Sequence, residues 1–137
     1  MAAITYTDSL DGITLDHLRG FFAGWPDPPT PETHLRLLRG SSHILLALDS
    51  AAGRVAGFIT AISDGVLAAY IPLLEVLPEY QGQGIGSELV RRMLDTLSGL
   101  YAIDLVCDEA LKPFYERFGM VSYHAMIKRD YSRQSGR

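Results

Sequence analysis

Three alternating glycines, Gly82, Gly84 and Gly86, stand where a strand-like run gives way to a long helical pattern. The segment reads Leu74-Glu75-Val76-Leu77-Pro78-Glu79-Tyr80-Gln81-Gly82-Gln83-Gly84-Ile85-Gly86-Ser87, and no other stretch constrains the chain as strongly. Glycine inside an element costs about 0.5–1 kcal/mol relative to alanine, so three at a helix start call for a purpose. The first N–H groups of a helix have no internal partners, and the helix dipole favours an anion there. With no side chain in the way, such a loop can wrap a diphosphate in backbone amides alone. Two other phosphate loops fit badly. A P-loop needs lysine and then Ser or Thr after its last glycine, and Ile85-Gly86-Ser87 supplies no lysine. A dinucleotide fingerprint counted from Gly82 would end on Ser87 rather than glycine, and the chain before it forms hairpins, not a βαβ unit.

The rest of the chain supplies the frame. Ala3 to Thr7 is a first strand. From about Thr14, a plausible N-cap, Leu15, Leu18 and Phe22 follow helical spacing up to near Gly24, where Pro26, Pro28 and Pro29 stop it. Thr30-Pro31-Glu32 starts a second helix with an N-cap hydroxyl, a proline and an acid, and Gly40 closes it. His43 to Leu48 and Arg54 to Ile62 form a hairpin across the turn 49–53. Asp64-Gly65 turns the chain into Val66 to Leu77. Gly84 to Leu97 is an amphipathic helix, with Ile85, Leu89, Val90, Met93, Leu94 and Leu97 on one side and Arg91, Arg92 and Asp95 on the other. Tyr101 to Cys107 is a strand, Ala110 to Phe118 a helix ended by Gly119, and Ala125 to Arg129 a last strand. This order predicts an α/β (α+β) fold, a mixed and mostly antiparallel central sheet flanked by helices.

With 137 residues there is room for one core, expected over 1–130, with a polar tail at 131–137. Apolar residues make up 47% and charged residues 20%, an ordinary globular mixture that speaks against disorder. No apolar run reaches the roughly 18 residues of a membrane span, and Met1 to Thr5 does not resemble a signal peptide. A single cysteine, Cys107, cannot form an internal disulfide, so a cytoplasmic location is expected. The net charge of −4, without a long basic run, argues against a nucleic-acid partner. His17, His34, His43 and His124 lack metal-site spacing, so no metal is expected, and they read as surface or core histidines. Cys107 with His124 could suggest a thiol nucleophile, but nothing places a base beside the sulfur, and a small buried hydrophobe is the better reading. Arg91 and Arg92 read as the solvated face of their helix, although one could reach a phosphate. A homodimer is left open.

Gln81-Gly82-Gln83-Gly84-Ile85-Gly86 resembles the Q/R-x-x-G-x-G/A signature of the GCN5-related N-acetyltransferases. Phe114-Tyr115-Glu116-Arg117-Phe118-Gly119-Met120 resembles the later aromatic segment of that family. One helix and one strand separate the two, as in the family, and the likeness is clear from about Arg54 to Arg129. Met120 stands where the family often has phenylalanine, and Asp108 near where many members have asparagine.

The resemblance implies acetyl-coenzyme A as cosubstrate. Its diphosphate would lie on the N–H groups of Gln83, Gly84, Gly86 and Ser87, with Gln81, Gly82 and Ile85 completing the loop and Phe114 joining the binding set. Its pantetheine arm would pair along Leu74 and Val76, where central parallel strands splay apart. The Val76 N–H would then face the thioester carbonyl. The implied reaction is direct acetyl transfer to an amine in a ternary complex. Tyr115 occupies the family's usual position for the general acid, and the competing reading is a core aromatic beside Phe114 and Phe118. Glu75 is the candidate base, because a carboxylate in an otherwise apolar strand has few bland explanations; facing solvent or pairing with an arginine are the alternatives. The family's acceptor pocket lies beside the early helices, so Phe21, Phe22 and Trp25-Pro26-Asp27-Pro28-Pro29 would either lid a small or partly apolar amine or staple the helix to the sheet. Two other functions stay in view: a sensor that binds acetyl-coenzyme A without turnover, and an ordinary nucleotide-binding module, which the loop spacing disfavours.

Overall fold

The computed structural model describes residues 3–137. Strands β1 (Ile4–Thr7), β2 (His43–Asp49) and β3 (Arg54–Ser63) are antiparallel neighbours. Between β1 and β2 lies helix α1 (Pro31–Gly40), whose Thr30 hydroxyl accepts the Thr33 N–H at 3.2 Å. Its proline sits at the first helical position, as the cap pattern predicts.

The run expected as one strand, Val66 to Leu77, is two. β4 (Ala68–Tyr70) pairs with the far end of β3, and β5 (Leu74–Val76) pairs with Gly57 to Ile59 nearer its start. Pro72 lies in the break and has no N–H to give a ladder. Beyond β5 comes helix α2 (Ile85–Thr96), which buries Ile85, Leu89, Val90 and Met93 and packs on β2 and β3. β6 (Ala102–Asp104) then runs parallel to β4. The Ile71 N–H donates to the Asp104 carbonyl at 2.9 Å, and past that bond β5 has no paired neighbour on this side among the described residues. The sheet therefore has six strands, with β4 and β6 together at one end and a gap opening beside β5. A short turn at Glu109–Leu111 leads into helix α3 (Lys112–Glu116), and Gly119 at φ 83° ends that segment.

Two further expectations are corrected. The helix from Thr14 toward Gly24 is only a 3-10 turn, Leu15–Leu18. Gly20, Phe22 and Gly24 take φ of 91°, 62° and 83°, which no right-handed helix holds. Leu18, Phe21 and Phe22 are nevertheless buried, so their spacing reported burial and not helix. The last strand, Ala125 to Arg129, has no ladder, and every residue from 121 to 130 is exposed. The polar residues 131–137 fold back onto the domain: Tyr131–Arg133 is a turn, the Gln134 side-chain oxygen accepts the Asp27 N–H at 3.0 Å, and Ser135 is buried.

One face of the sheet is closed by α2. On the other, His34 of α1 stands in an aromatic cluster with Phe21, Phe22 and Phe58, its ring centroid 4.4 Å from that of Phe58. His34 is 1% exposed, and neither ring nitrogen has a hydrogen-bond partner among the described residues. Burial drives its pKa down to about 4, so it is a neutral core side chain.

Candidate active site

The approach to the glycine loop is pinned from three sides. In the turn Pro78–Tyr80, the Tyr80 hydroxyl donates to buried Asp49 of β2 at 2.7 Å, and Glu79 pairs with Arg54 at 2.9 Å. The same Arg54 donates to the Arg19 carbonyl at 2.7 Å, tying the turn to the segment before Phe21. The Gln81 amide donates to the Val76 carbonyl at 3.0 Å and stitches the loop to β5.

Gly82 and Gly84 take φ of 78° and 83°, and a Cβ at either would meet nothing within 4 Å. Left-handed backbone requires glycine at both, while the space over them stays open. The first bond inside α2 runs from the Glu88 N–H to the Gly84 carbonyl at 3.1 Å, and no side chain caps the helix. The Ile85, Gly86 and Ser87 N–H groups thus have neither a helix carbonyl nor a capping side chain. At Gly86 three elements converge, since a Cβ there would lie 3.8 Å from both Phe114 of α3 and Val76 of β5. The Arg117 guanidinium donates to the Ser87 hydroxyl at 2.7 Å and lies 5.2 Å over the Phe114 ring. It adds a cation to an end of α2 that already favours anions. Arg91 and Arg92 instead pair with Glu88, and Arg92 also covers the Tyr6 ring.

Strand β5 divides its polar groups between two sides. The Leu73 carbonyl accepts the Thr60 N–H at 3.1 Å, and the Leu77 N–H donates to the Ala56 carbonyl at 2.9 Å. Backbone groups alternate along a strand, so those of Leu74 and Val76 point away from β3 into the gap. Side chains alternate as well: Val76 faces Gly86, while Glu75 faces the opposite way, toward the lid. There its two carboxylate oxygens accept the Phe22 N–H at 2.8 Å and the Ala23 N–H at 3.2 Å. Glu75 therefore neither faces open solvent nor pairs with an arginine; it holds the backbone of a left-handed turn. It also lines a hollow of about 250 Å³ with Trp25, Phe58, Leu73 and Gln81. Trp25 forms part of the rim, while Phe22 is buried below it, as a staple to the sheet would be.

Tyr115 packs edge-on against Phe114 at 4.9 Å and is half-buried. Burial, with a smaller push from neighbouring Cys107, raises its phenol to about 12. Its hydroxyl has no hydrogen-bond partner among the described residues, as a buried structural tyrosine usually would. Tyr115 does not line the 250 Å³ hollow, so it and Glu75 belong to different walls of the site. A second hollow, about 440 Å³, lies elsewhere, against Asp8, Arg39 and His43.

The structure therefore gathers Leu74, Val76, Gln81, Gly82, Gln83, Gly84, Ile85, Gly86, Ser87 and Phe114 around one loop and one gap. This fits a ligand with an anionic end and an arm that can pair as a strand. Sequence reasoning missed Arg117 and the Tyr80–Asp49 bond. Arg117 follows Phe114 by three residues, a spacing that puts both on one side of a helical turn. No helix among the described residues is long and apolar enough to cross a membrane. No group of three or more His, Cys, Asp or Glu that could hold a metal occurs among those residues.

Comparison with known proteins agrees with this geometry. The acetyltransferase (GNAT) family matches residues 10–120. A candidate acetyltransferase structure from Deinococcus radiodurans R1 is 48% identical, with a TM-score of 0.93 over 96% of this chain and 92% of that one. A GNAT-family acetyltransferase from Streptococcus pneumoniae TIGR4 is 28% identical, with a TM-score of 0.69 over 95% of this chain and all of that one. N-alpha-acetyltransferase 30 of Schizosaccharomyces pombe is 34% identical over 67 residues, 45% of each chain. GCN5-related N-acetyltransferase 1, chloroplastic, of Arabidopsis thaliana is 29% identical over 116 residues, 82% of this chain and 58% of that protein. The matches thus span about half the length of these two relatives. A loop that leaves α2 amides free, a strand edge open beside it and a family match across most of the chain make one assignment: the protein belongs to the GNAT acetyltransferase family, and membership implies acetyl-coenzyme A as cosubstrate.

Proposed function

We propose that this enzyme transfers the acetyl group of acetyl-coenzyme A to a primary amine of a small molecule or a protein, by direct attack within a ternary complex. One observation carries the reading: adjacent residues of β5 present a carboxylate to a small hollow and an N–H to the gap beside it. When bound, acetyl-coenzyme A supplies an activated acetyl group. The amides at 83–87, aided by Arg117, hold its diphosphate, and the Leu74 and Val76 backbone holds its arm. The Val76 N–H is a fixed donor for the carbonyl oxygen as negative charge grows there, an effect worth about 3–4 kcal/mol.

Tyr115 enters the reaction with its proton in place, because a phenol near 12 is fully protonated at neutral pH. Free thiols titrate at about 8.5, so the phenol is the weaker acid and acts first as a hydrogen-bond donor to the departing sulfur. Glu75 receives the proton of the incoming ammonium. A carboxylate offers about four acceptor positions, and the lid amides use two, which leaves capacity toward the hollow. The mixed lining of that hollow, Trp25, Phe58 and Leu73 beside Glu75 and Gln81, suits an amine with a small or partly apolar substituent.

The test is free-thiol release from acetyl-coenzyme A with a panel of amines, including peptide α-amines because one relative is an N-alpha-acetyltransferase. Turnover with one amine class is the expected result. Coenzyme binding without release by any amine would favour the sensor instead. Glu75→Gln should move the pH optimum upward, and an identical pH profile would remove Glu75 as the base.

A further inference from the structure

The lid over the Glu75 hollow is bonded to a segment far along the chain. In Pro26-Asp27-Pro28-Pro29 the prolines have no N–H, so Asp27 holds the single backbone donor of the run. That N–H donates to the Gln134 side-chain oxygen at 3.0 Å. Each proline ring fixes its own φ, so pinning Asp27 also fixes the residues on either side of it.

The segment that carries Gln134 is itself seated on the domain. Ser135 is only 5% exposed, which is uncommon for serine. Gly136 takes φ 81°, and a Cβ there would come within 2.9 Å of Thr33 in the first turn of α1. The backbone also closes on itself: the Gln134 and Gly136 N–H groups donate to the Tyr131 and Arg133 carbonyls at 3.3 and 3.0 Å.

Trp25 thus stands between two anchors. Before it, Glu75 holds the Phe22 and Ala23 amides. After it, Gln134 holds Asp27. The indole packs on Phe22 with ring centroids 4.9 Å apart and lines the hollow together with Glu75. A proton taken up by Glu75 weakens the first anchor, because hydrogen bonds to a charged acceptor are about twice as strong as neutral ones. The Gln134 amide is neutral throughout, so the second anchor keeps its strength.

We infer that Gln134 is a positioning residue for the acceptor: through Asp27 it keeps Trp25 at the hollow and thereby sets affinity for amines whose apolar substituent packs on the indole. This rests on the reading of that hollow as the acceptor site. Gln134 does not line the hollow and acts only through the lid.

Trp25 is the only tryptophan of the chain, so its fluorescence reports the lid without any turnover. In Gln134→Ala the emission should move to longer wavelength and acrylamide should quench it more strongly. Gln134→Glu keeps an acceptor oxygen and should restore the wild-type signal. In thiol-release assays with butylamine and phenethylamine, Gln134→Ala should raise the amine KM by roughly 2–10-fold, the range one net hydrogen bond can carry. The KM for methylamine should change less, and that for acetyl-coenzyme A not at all. An unchanged tryptophan signal in Gln134→Ala would overturn the inference. So would KM values that rise together for both substrates, or a Gln134→Glu variant that behaves like the alanine one. If the wild type released thiol with no amine, the acetyl-transfer reading would fall, and the tryptophan signal alone would decide whether Gln134 holds the lid.

Discussion

The wall of the site that faces α2 and the wall under residues 19–29 share strand β5 but are made differently. On the α2 side the functional groups are backbone amides, and side chains matter chiefly by being absent, as at Gly82 and Gly84. On the lid side a half-buried carboxylate, Glu75, holds two amides of a turn that contains the left-handed Phe22, above a core of His34, Phe21 and Phe58. The first wall follows from a few consecutive residues. The second depends on partners more than fifty residues apart. Substitutions should therefore act locally and through backbone geometry on the first, and through desolvated side chains on the second.

The largest effect is expected at Tyr115, beside Phe114 and outside the Glu75 hollow. Tyr115→Phe should lower the maximal rate by roughly 10²–10⁴-fold while coenzyme affinity, measured by calorimetry, stays unchanged. Unaltered turnover would remove Tyr115 from the chemistry.

Next in size is the acid response of the lid wall. His34 titrates near 4 in the fold against an ordinary value of 6.5, so the unfolded chain binds the proton more tightly between those values. Its contribution is intact above pH 6.5 and is lost as pH falls toward 4, by about 3 kcal/mol in all. Urea melts at pH 7 and pH 4 should show this loss, and His34→Leu should remove most of it. An equal loss in that variant would place the acid sensitivity elsewhere.

On the coenzyme wall, Gly84→Ala should cost about 1–2 kcal/mol of stability, because its φ of 83° suits no side chain. Gly86→Ala separates binding from folding. It has ordinary contacts and a helical position, so stability should hold or rise by up to about 1 kcal/mol while acetyl-coenzyme A affinity falls. Equal stability losses in the two variants would contradict this division. The smallest effect is Arg117→Ala, an exposed cation worth about 0.2–1 kcal/mol of affinity, with a weaker dependence on salt.

The same contrast explains what could be read from the sequence. The α1 cap at Thr30-Pro31, the glycine loop and the amphipathic α2 were legible because each is decided by neighbours within one or two turns. The segment 14–24 was misread because Leu15, Leu18 and Phe22 keep helical spacing, while the backbone of Phe22 is held by Glu75, 53 residues away. The break between β4 and β5 had a visible signal in Pro72. What the sequence does not display is that β3 serves both pieces. Residues 125–129 have a strand pattern, but a strand exists only where something pairs with it, and none of the described residues does.

The most direct measurement is an NMR titration of the isotope-labelled protein with acetyl-coenzyme A. Amide shifts should concentrate at Gln83, Gly84, Ile85, Gly86 and Ser87, and at Leu74 and Val76 along β5. If those resonances stay in place while acetyl-coenzyme A binds, the helix end and the open strand are not its site.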